Sequence, residues 1–600
     1  MNRLLLLVFV FLGIATIVPA QKPTDKRLAG LDTFVNKVLQ DWHAPGVGIA
    51  VVEKNKVVYA GGFGFADYEN KRPVTGNTLF AIGSCTKAFT SALLGKLQAD
   101  GKLDFDEKVT TYVPEVAFYN DYLTDNVTVR DLTCHRTGIP RHDFSWYLNG
   151  TSRDSLVQRI RYMENFASLR EKWYYNNFMF LLQGVISEKL YGKSWEDNIS
   201  EQFFQPLGMT NSNFALWAKD YPDEAKGYYT DDKNAIKPQD YYKIAGMGPA
   251  GSIFSNPVEM ANWVMAWING GKFNGKQVIP EAYVKEAMSS QMVINAGLPT
   301  PESPDVYLAN YGMGWFLASY RGHYRVEHGG NIDGFSASTA FYPTDSIGIV
   351  VLTNQNGSAI TGIIRNFISD RMLKLPYKNW NKQIKDARDK ALAAAKEGEK
   401  SNSDSLNRKP NTRPSHALAD YAGNYENAGY GAIQLSVRKD SLFIKLGEQE
   451  AYLEHYHYDV FRPQAPGTPF EELLNSLRLQ FTMDLKGEVT GFDFIGIEPA
   501  LEKITFEKKA LPVAMAKSEL EKYTGEYELA GMVAKVNLRG ETLWVVVPGQ
   551  PDYETVPVGN HEFKLKVLDG YSVRFEINGD KATAMLFIQP NGTFKATRKG

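Results

Sequence analysis

The sequence predicts a multidomain protein in which one α/β domain is followed by a linker and two small all-β modules. Three observations predict this architecture: helical and strand patterns alternate over a long stretch, the composition then changes abruptly, and the strand-rich remainder repeats itself. A chain of 600 residues also exceeds the size of about 250–300 residues at which a single core stops growing. The predicted boundaries are 1–20 for a signal peptide, 21–380 for the α/β domain, 381–414 for the linker, and 415–510 and 511–600 for the modules.

The N-terminal residues have the features of a secretory signal. MNRLLLLVFVFLGIATIVPAQ has one early cation, Arg3, an apolar run from Leu4 to Val18, and small residues before a predicted cleavage after Ala20. A cleaved signal peptide predicts a periplasmic or extracellular protein with no membrane span after cleavage. An uncleaved N-terminal anchor is the alternative.

The α/β domain is predicted to begin with a β-hairpin. VGIAVVEKNKVVYAGGFGFA (47–66) has two β-branched runs separated by EKNK, which is a hairpin pattern. Between residues 107 and 377, helical patterns such as NFMFLLQGVISEKLYG alternate with strand patterns such as SASTAFYP and IGIVVLTN. This mixture predicts one large α/β domain.

The composition changes at the predicted linker. From Asn381 to Pro414, a charged helical pattern is followed by a polar run with hardly an apolar residue, which is typical of a linker or a domain edge. Beyond it, short strand patterns are separated by turns such as KGE, NGD and NGT. The C-terminal third is therefore predicted to be all-β.

That third contains an internal repeat. LADYAGNYE at 418–426 matches LEKYTGEYE at 520–528. Four residues recur at an offset of 102 positions: Leu418, Tyr421, Gly423 and Tyr425. A strand pair follows each copy, so two tandem β-barrel-like modules are the simplest interpretation. Coincidence between two β-rich segments is the alternative.

The composition favours a small-molecule or peptide partner over nucleic acid. The formal charge is −2 at pH 7, so the chain has no excess of basic residues to bind nucleic-acid phosphates.

Cys85 and Cys134 are the only cysteines, so a disulfide framework is not predicted. Two buried free thiols are predicted, and one bridge between them is the alternative. Without H-E-x-x-H or a cysteine cluster, neither a metal site nor a cofactor is predicted. The oligomeric state is left open.

A serine and a lysine lie three residues apart in TLFAIGSCTKAFTSALLGKLQADGKLD (78–104). Such residues share one face of a helix, so Ser84 and Lys87 can bring a hydroxyl and an amine within hydrogen-bond distance. A serine becomes a nucleophile when a base takes its proton, and burial lowers the pKa of a lysine amine towards that of a base. Gly83 permits a tight turn into the helix, where the amide of Ser84 provides half of an oxyanion hole.

The tetrapeptide alone is weak evidence, because Ser436 and Lys439 repeat it. There the strand pattern places the two side chains on opposite faces, beside a solvated turn. A helix N-terminal serine next to an exposed lysine is therefore the alternative interpretation of Ser84.

Two further motifs follow Ser84 in order. WYYNNFMFLLQG contains Tyr175 and Asn177 in a loop entering a helix, where a phenol can move protons and an amide can hold a substrate carbonyl. RVEHGGNIDGF contains His328, Gly329 and Gly330 on a predicted strand, where glycines let a substrate backbone approach.

Together these motifs resemble the penicillin-recognising serine hydrolases, which include class C β-lactamases, D-alanyl-D-alanine carboxypeptidases, D-aminopeptidases and related esterases. The resemblance covers roughly residues 28–378 and extends to framework segments in the family's order: TVRDLTCHRTGIPRHD, GMGPAGSIFSNPVEMANW, YGMGW and GIVVLTN. It implies an antiparallel sheet packed with helices, plus an all-helical lobe, with the active site between them.

The resemblance also implies catalytic roles. Ser84 would be acylated, Lys87 would activate it, and Tyr175 would share proton transfer as a base towards Ser84 or as an acid towards the leaving group. The amides of Ser84 and Asn331 would form the oxyanion hole.

Substrate binding is implied for the remaining motif residues. Asn177 would hydrogen-bond a substrate amide. His328 stands where β-lactamases commonly have a lysine, and it is followed by Gly329 and Gly330. A third motif of H-G-G rather than K-T-G removes the ammonium and the hydroxyl that β-lactamases direct at a β-lactam carboxylate.

The predicted function is a secreted serine hydrolase that forms an acyl-enzyme on Ser84 and acts on a peptide, a D-amino-acid amide or an ester. A class C-like β-lactamase is one alternative, and a non-catalytic cell-envelope binding or sensor protein is another. A hydrolase of the α/β-hydrolase type is disfavoured because G-x-S-x-G is absent from the sequence. The arrangement of the two C-terminal modules resembles that in D-aminopeptidases of this family. In those enzymes, barrels follow the catalytic domain and one barrel can reach into its cleft.

Overall fold

The computed structural model describes residues 25–147, 151–214, 221, 223–242, 244–295, 298–300, 304–401, 408–447, 449–509, 514–566, 568, 571–589 and 592–599. The predicted signal peptide, residues 1–20, lies outside them. Among the helices of the described residues, none is both long and apolar enough to cross a membrane.

The N-terminal domain is built around one antiparallel sheet. The strands of this domain are β1 (Gly46–Glu53), β2 (Lys56–Asp67), β3 (Arg72–Pro73), β4 (Phe80–Ala81), β5 (Tyr228–Thr230), β6 (Ile236–Pro238), β7 (Phe254–Ser255), β8 (Lys272–Phe273), β9 (Lys276–Gln277), β10 (Met292–Val293), β11 (Ala309–Tyr311), β12 (Phe316–Tyr320), β13 (His323–Ile332), β14 (Phe335–Tyr342) and β15 (Ile347–Thr353). Nine of them form the sheet in the order β10-β11-β12-β13-β14-β15-β1-β2-β3. The predicted hairpin is the pair β1–β2.

Helices cover both faces of this sheet. They are α1 (Leu31–Asp41), α2 (Thr86–Ala99), α3 (Val109–Tyr112), α4 (Asp121–Asn126), α5 (Val129–Thr133), α6 (Arg153–Arg159), α7 (Asn177–Tyr191), α8 (Trp195–Ile199), α9 (Gln205–Leu207), α10 (Gly248–Gly251), α11 (Pro257–Ile268), α12 (Glu281–Ala287), α13 (Ile360–Met372) and α14 (Trp380–Ser401). Side chains of a strand alternate between faces, and β1 accordingly contributes Val47, Ile49 and Val51 to one core and Ala50 and Val52 to the other.

The two cores have different helical partners. The first contains the apolar side chains of α1 and α13, and the second contains those of α2, α7 and α11. Helix α7 is buried on all sides from Asn177 to Ser187, as expected for the central helix of a lobe, and it packs against α2, α5 and α10. The predicted sheet with helices and an all-helical lobe is confirmed.

The predicted linker begins as a helix joined to the N-terminal domain. At the start of α14, the Nε1 atom of Trp42 donates to Oδ1 of Asn381 at 2.8 Å. Nε1 of Trp380 donates to Oδ2 of Asp370 at 2.7 Å. These two contacts hold the first turn of α14 against the α/β domain.

Two closed antiparallel barrels of eight strands each follow α14. The first consists of β16 (Gly423–Asn427), β17 (Gly431–Arg438), β18 (Ser441–Leu446), β19 (Gln449–His457), β20 (Val460–Gln464), β21 (Arg478–Met483), β22 (Val489–Ile495) and β23 (Ile504–Lys509), with short helices α15 (Leu418–Tyr421) and α16 (Glu471–Asn475). The second consists of α17 (Lys517–Leu520) and β24 (Gly525–Leu529), β25 (Met532–Arg539), β26 (Thr542–Val546), β27 (Tyr553–Gly559), β28 (Glu562–Leu565), β29 (Ser572–Asn578), β30 (Lys581–Gln589) and β31 (Gly592–Arg598).

The sequence repeat has a structural cause. Tyr425 is fully buried in the first barrel, and its hydroxyl donates to the carbonyl oxygen of Tyr421 at 2.7 Å. Tyr527 in the second barrel makes the same contact with Tyr523, also at 2.7 Å. The recurring glycine of the motif has φ near +146° in both copies, a conformation that favours glycine. Each motif therefore closes one barrel in the same way.

Candidate active site

Ser84 lies at a sharp turn between a short strand and a helix. Residues Gly83–Cys85 form one 3₁₀ turn, and α2 begins at the next residue. Gly83 has φ +49°, and a Cβ there would lie 2.9 Å from the backbone nitrogen of Asn331. Only glycine fits this turn without strain, so the turn is held directly against β13. The Ser84 side chain stays partly exposed.

Lys87 is completely buried beneath Ser84. Its Nζ lies 3.1 Å from Oγ of Ser84, 2.7 Å from Oδ1 of Asn177 and 2.9 Å from the carbonyl oxygen of Ala250. Burial lowers the pKa of Lys87 well below its ordinary value, and the nearby charge of Arg141 lowers it further. The structure thus places a buried amine within hydrogen-bond distance of the Ser84 hydroxyl.

Asn177 connects Lys87 to an ion pair that sequence reasoning did not single out. Its Nδ2 donates to Oδ1 of Asp143 at 2.8 Å. The second carboxylate oxygen of Asp143 accepts from Nε of Arg141 at 2.5 Å. Asn177 is the first residue of α7, so the helix start fixes its side chain between the lysine and the carboxylate.

The ring of Tyr175 lies beside Lys87 and Arg141. Lys87 Nζ is 4.7 Å from the centre of its ring, and the guanidinium carbon of Arg141 is 4.9 Å from it. Burial raises the pKa of the Tyr175 phenol, and a hydrogen bond with Ser84 offsets only part of that rise. The phenol is therefore protonated at neutral pH and able to donate a proton.

The third motif lies on β13, where its backbone meets the serine turn. A Cβ on Gly330 would lie 2.0 Å from the carbonyl oxygen of Ile82 and 3.1 Å from the amide nitrogen of Ser84. Glycine at this position allows the strand and the turn to touch. The amides of Ser84 and Asn331, the predicted oxyanion hole, consequently lie on adjoining segments of backbone.

His328 is buried, with both ring nitrogens engaged. Nδ1 lies 2.6 Å from the carbonyl oxygen of Gly329, and Nε2 lies 3.0 Å from the hydroxyl of Tyr311. A carbonyl oxygen accepts only, so Nδ1 carries the hydrogen and Nε2 accepts from Tyr311. Burial lowers the pKa of His328 to about 3. This ring is therefore neutral at physiological pH.

Two cavities meet at Ser84. The barrel-side cavity, about 340 Å³, is lined by residues that include Asp143, Asn177 and Asp333. The tyrosine-side cavity, about 660 Å³, is lined by residues that include Tyr175, His328, Gly329 and Gly330. Ser84, Arg141 and Asn331 line both. All eight predicted site residues are therefore brought together, either around these cavities or directly beneath them.

The first barrel forms one wall of the barrel-side cavity. Pro469, Phe470 and Leu473 line it together with Ser84, and the ring of Phe470 lies 6.1 Å from that of Tyr147. Ser84 in the N-terminal domain thus shares a cavity with side chains from beyond residue 415.

The segment 141–147 contacts this barrel and also lines the cavity at Ser84. The amide of His142 donates to Oε2 of Glu498 at 2.7 Å, and the Tyr430 hydroxyl lies 2.7 Å from Nδ1 of His142. Sequence reasoning placed RHD in a framework segment without a role in the site. The charged residues Arg141 and Asp143 in this segment were the available sequence signal. Asn177, which contacts Asp143, is distant in sequence, so local reasoning did not connect the two.

Comparisons with known proteins match two parts of the chain to family models. A family model described as Beta-lactamase matches residues 31–366. A second model, a domain of unknown function (DUF3471), matches residues 407–508, which cover the first barrel except for its last residue, Lys509.

Two curated relatives are fungal proteins. Unguisins hydrolase ungD of Aspergillus violaceofuscus (strain CBS 115571) is 28% identical over 436 residues, 67% of this chain and 75% of the relative. Unguisins hydrolase ungD' of Aspergillus campestris (strain IBT 28561) is 30% identical over 427 residues, 68% of this chain and 77% of the relative.

A solved structure has a similar fold. The octameric penicillin-binding protein homologue from Pyrococcus abyssi aligns with a TM-score of 0.53 and 22% identity, over 80% of this chain and 100% of that one. At this identity, the similarity concerns the fold alone.

Proposed function

Because the chain belongs to the beta-lactamase family, we propose that it is a serine hydrolase that forms an acyl-enzyme on Ser84. Its proposed substrates are peptides, D-amino-acid amides or esters. One observation carries the proposal: the amine of Lys87, buried and with a lowered pKa, lies 3.1 Å from the hydroxyl of Ser84.

Acylation begins with proton transfer from Ser84. The neutral amine of Lys87 accepts the hydroxyl proton while Oγ of Ser84 attacks the substrate carbonyl carbon. The amides of Ser84 and Asn331 stabilise the negative charge that develops on the carbonyl oxygen. Asn177 holds the lysine amine in place through the 2.7 Å contact with its Oδ1.

Breakdown of the tetrahedral intermediate needs a proton on the leaving group. Tyr175 has a raised pKa and a hydrogen bond with Ser84, so it donates that proton and recovers one from Lys87. The leaving group then lies in the tyrosine-side cavity, which Tyr175 lines, and the acyl group lies in the barrel-side cavity. Water attacks the acyl-enzyme by the reverse sequence of proton transfers.

A dedicated β-lactamase is a weaker candidate. His328 occupies the position of the usual lysine, and its ring is neutral, 1% exposed and hydrogen-bonded at both nitrogens. Such a ring offers no positive charge to a β-lactam carboxylate. We expect slow or no turnover of nitrocefin.

Secretion is part of the proposal and depends on the N-terminal sequence pattern. Expression of the full-length chain followed by N-terminal sequencing of the exported protein tests it. A mature protein that begins at Gln21 supports secretion, and an intact N-terminus in the cytoplasm contradicts it.

A substrate panel tests the catalytic proposal. D- and L-aminoacyl amides, short esters, muropeptides and nitrocefin are compared with wild type and Ser84→Ala. Turnover of an amide or ester that disappears in Ser84→Ala supports the proposal, and nitrocefin turnover matching the best of these substrates would favour a β-lactamase. Binding of a cell-wall polymer without any hydrolysis would favour a sensor or adhesion protein.

A further inference from the structure

The barrel-side cavity contains a carboxyl group that the proposed mechanism does not use. Asp333 follows β13 directly, two residues after Asn331, and lines the same cavity as Ser84. It is only 8% exposed. Two residues of extended chain span about 6.6 Å. Asp333 therefore lies close to the predicted oxyanion hole, in the barrel-side cavity that the proposed mechanism assigns to the acyl group.

Asp333 has neutral partners only. Its Oδ1 accepts from the hydroxyl of Tyr147 at 2.5 Å and from Nε2 of Gln239 at 3.3 Å, and the backbone of Tyr242 also donates to it. The other charged side chains lining the cavity are Arg141 and Asp143, which pair with each other. No ion pair among the described residues includes Asp333, so its charge lacks a counter-charge.

Gln239 adds an unused acceptor to the same wall. It lines the cavity and is 8% exposed. Its Nε2 faces Asp333, which fixes the orientation of the amide, and its Oε1 is buried without a hydrogen-bond partner. An unsatisfied buried acceptor is unfavourable, so a ligand donor that reaches Oε1 of Gln239 would stabilise this wall.

Aromatic rings surround these acceptors. Trp146, Tyr147 and Phe470 line the cavity with Asp333, and the rings of Trp146 and Tyr147 lie 5.5 Å apart at 70°. Aromatic faces attract cations, and they do so most strongly where water is excluded. A carboxylate, an unpaired amide oxygen and aromatic rings are together complementary to an ammonium group, which has three donors and one positive charge.

We propose that Asp333 and Gln239 form a subsite for an ammonium group on the acyl part of the substrate, so that Ser84 takes acyl groups that carry a primary amine. This inference rests on the proposed function of Ser84. A neutral amide N–H would satisfy Gln239 but would leave the carboxylate without a counter-charge. Burial raises the pKa of Asp333 to about 6, and an ammonium group bound beside it would favour the ionised carboxylate.

Matched substrates test the subsite in the full-length protein. Alanine p-nitroanilide, in D and L forms, is compared with N-acetylalanine p-nitroanilide and propanoyl p-nitroanilide, which lack the cation. We expect a kcat/KM for the preferred alanine enantiomer at least tenfold above that for either neutral substrate. In Asp333→Asn this preference falls at least tenfold, mainly through KM, while turnover of the propanoyl substrate changes less than threefold.

A control variant and a second readout separate this inference from the proposed function. Asp345→Asn, at the far end of the β13–β14 hairpin where Asp345 pairs with His323 at 3.0 Å, should keep the preference for the amine. Labelling of Ser84 by a fluorophosphonate reports the catalytic centre independently of the subsite. If Ser84 is labelled but wild type turns over the alanine and neutral substrates equally, the subsite is wrong and the proposed function stands. If folded protein shows neither labelling nor turnover, both fail.

Discussion

Oδ1 of Asn177 lies 2.7 Å from Nζ of Lys87, so a neutral amide is the closest polar contact of a fully buried amine. A carboxylate in its place would favour the protonated lysine. We predict that Asn177→Asp raises the pKa of Lys87, moves the acid limb of the kcat/KM–pH profile up by about 1–3 units, and lowers activity at pH 7 at least tenfold.

The pH profile distinguishes this electrostatic effect from lost packing. Asn177→Asp also loses the hydrogen bond to Asp143, which Asp143→Asn restores in the double variant. The shifted acid limb should persist in that double variant. Asn120→Asp, at the exposed N-cap of α4, is the control. An unshifted acid limb in Asn177→Asp would show that Lys87 is not the base.

The first barrel holds the segment that carries Asp143. Oε2 of Glu498 accepts from the amide of His142 at 2.7 Å, and His142 has φ +47°. Glu498→Ala leaves this buried amide unpaired, at a cost of about 1–3 kcal/mol. We predict that kcat falls at least tenfold in Glu498→Ala and less than threefold in Glu498→Gln, whose amide oxygen still accepts. Equal losses in the two variants would contradict this role of the barrel.

Adjacent glycines of the third motif differ in the space around them. A Cβ on Gly330 would lie 2.0 Å from the carbonyl oxygen of Ile82, whereas a Cβ on Gly329 would lie 3.7 Å from its nearest neighbour outside the adjoining residues, the carbonyl oxygen of Ala337. We predict that Gly330→Ala lowers the free energy of unfolding by about 2 kcal/mol and that Gly329→Ala lowers it by about 0.5 kcal/mol or less. Chemical denaturation of both variants checks this, and similar stabilities would contradict the close contact.

Buried neutral histidines make the fold sensitive to acid. His328 has a pKa of about 3 in the folded protein and about 6.5 when unfolded. The unfolded state therefore binds more protons between these values, and stability that is complete above pH 6.5 is lost progressively as the pH falls towards 3. His142, with a pKa lowered to about 4, acts in the same direction.

Replacing His328 measures its contribution to the acid-induced loss of stability. Between pH 7.5 and pH 5, His328 should account for a loss of about 2 kcal/mol in the free energy of unfolding. In His328→Gln the acid-induced loss should be smaller by that amount, measured by urea denaturation at the two pH values. A loss as large as in wild type would mean that His328 is protonated in the folded protein.

Local sequence patterns predicted the parts of the fold that depend on residues close together in the sequence, such as hairpins and helical faces. The hairpin of β1 and β2 follows from two β-branched runs, and the paired barrels follow from a repeat whose buried tyrosines, Tyr425 and Tyr527, make identical contacts. The serine–lysine spacing predicted their shared helical face. The second S-x-x-K is divided between a strand and a turn, because Ser436 lies within β17 and Lys439 follows the end of that strand in a turn with φ +47°.

The environment of the site depends on long-range contacts that no local pattern contains. Asp143 meets Asn177 from 34 positions away, and Glu498 meets His142 from 356 positions away. The burial that neutralises His328 comes from packing against Tyr311 and Phe316 on neighbouring strands. Sequence could identify the candidate reacting groups, but their pKa values and the barrel wall of the cavity arise only from the assembled fold.

Mass mapping of the covalent adduct tests the central claim most directly. The folded full-length protein is treated with a fluorophosphonate probe, digested, and its peptides analysed by mass spectrometry. We predict one equivalent of label on Ser84, lost in Ser84→Ala and retained in Ser436→Ala, the matched serine of the second S-x-x-K. Label on another residue, or folded protein that takes up none, would contradict an acyl-enzyme mechanism on Ser84.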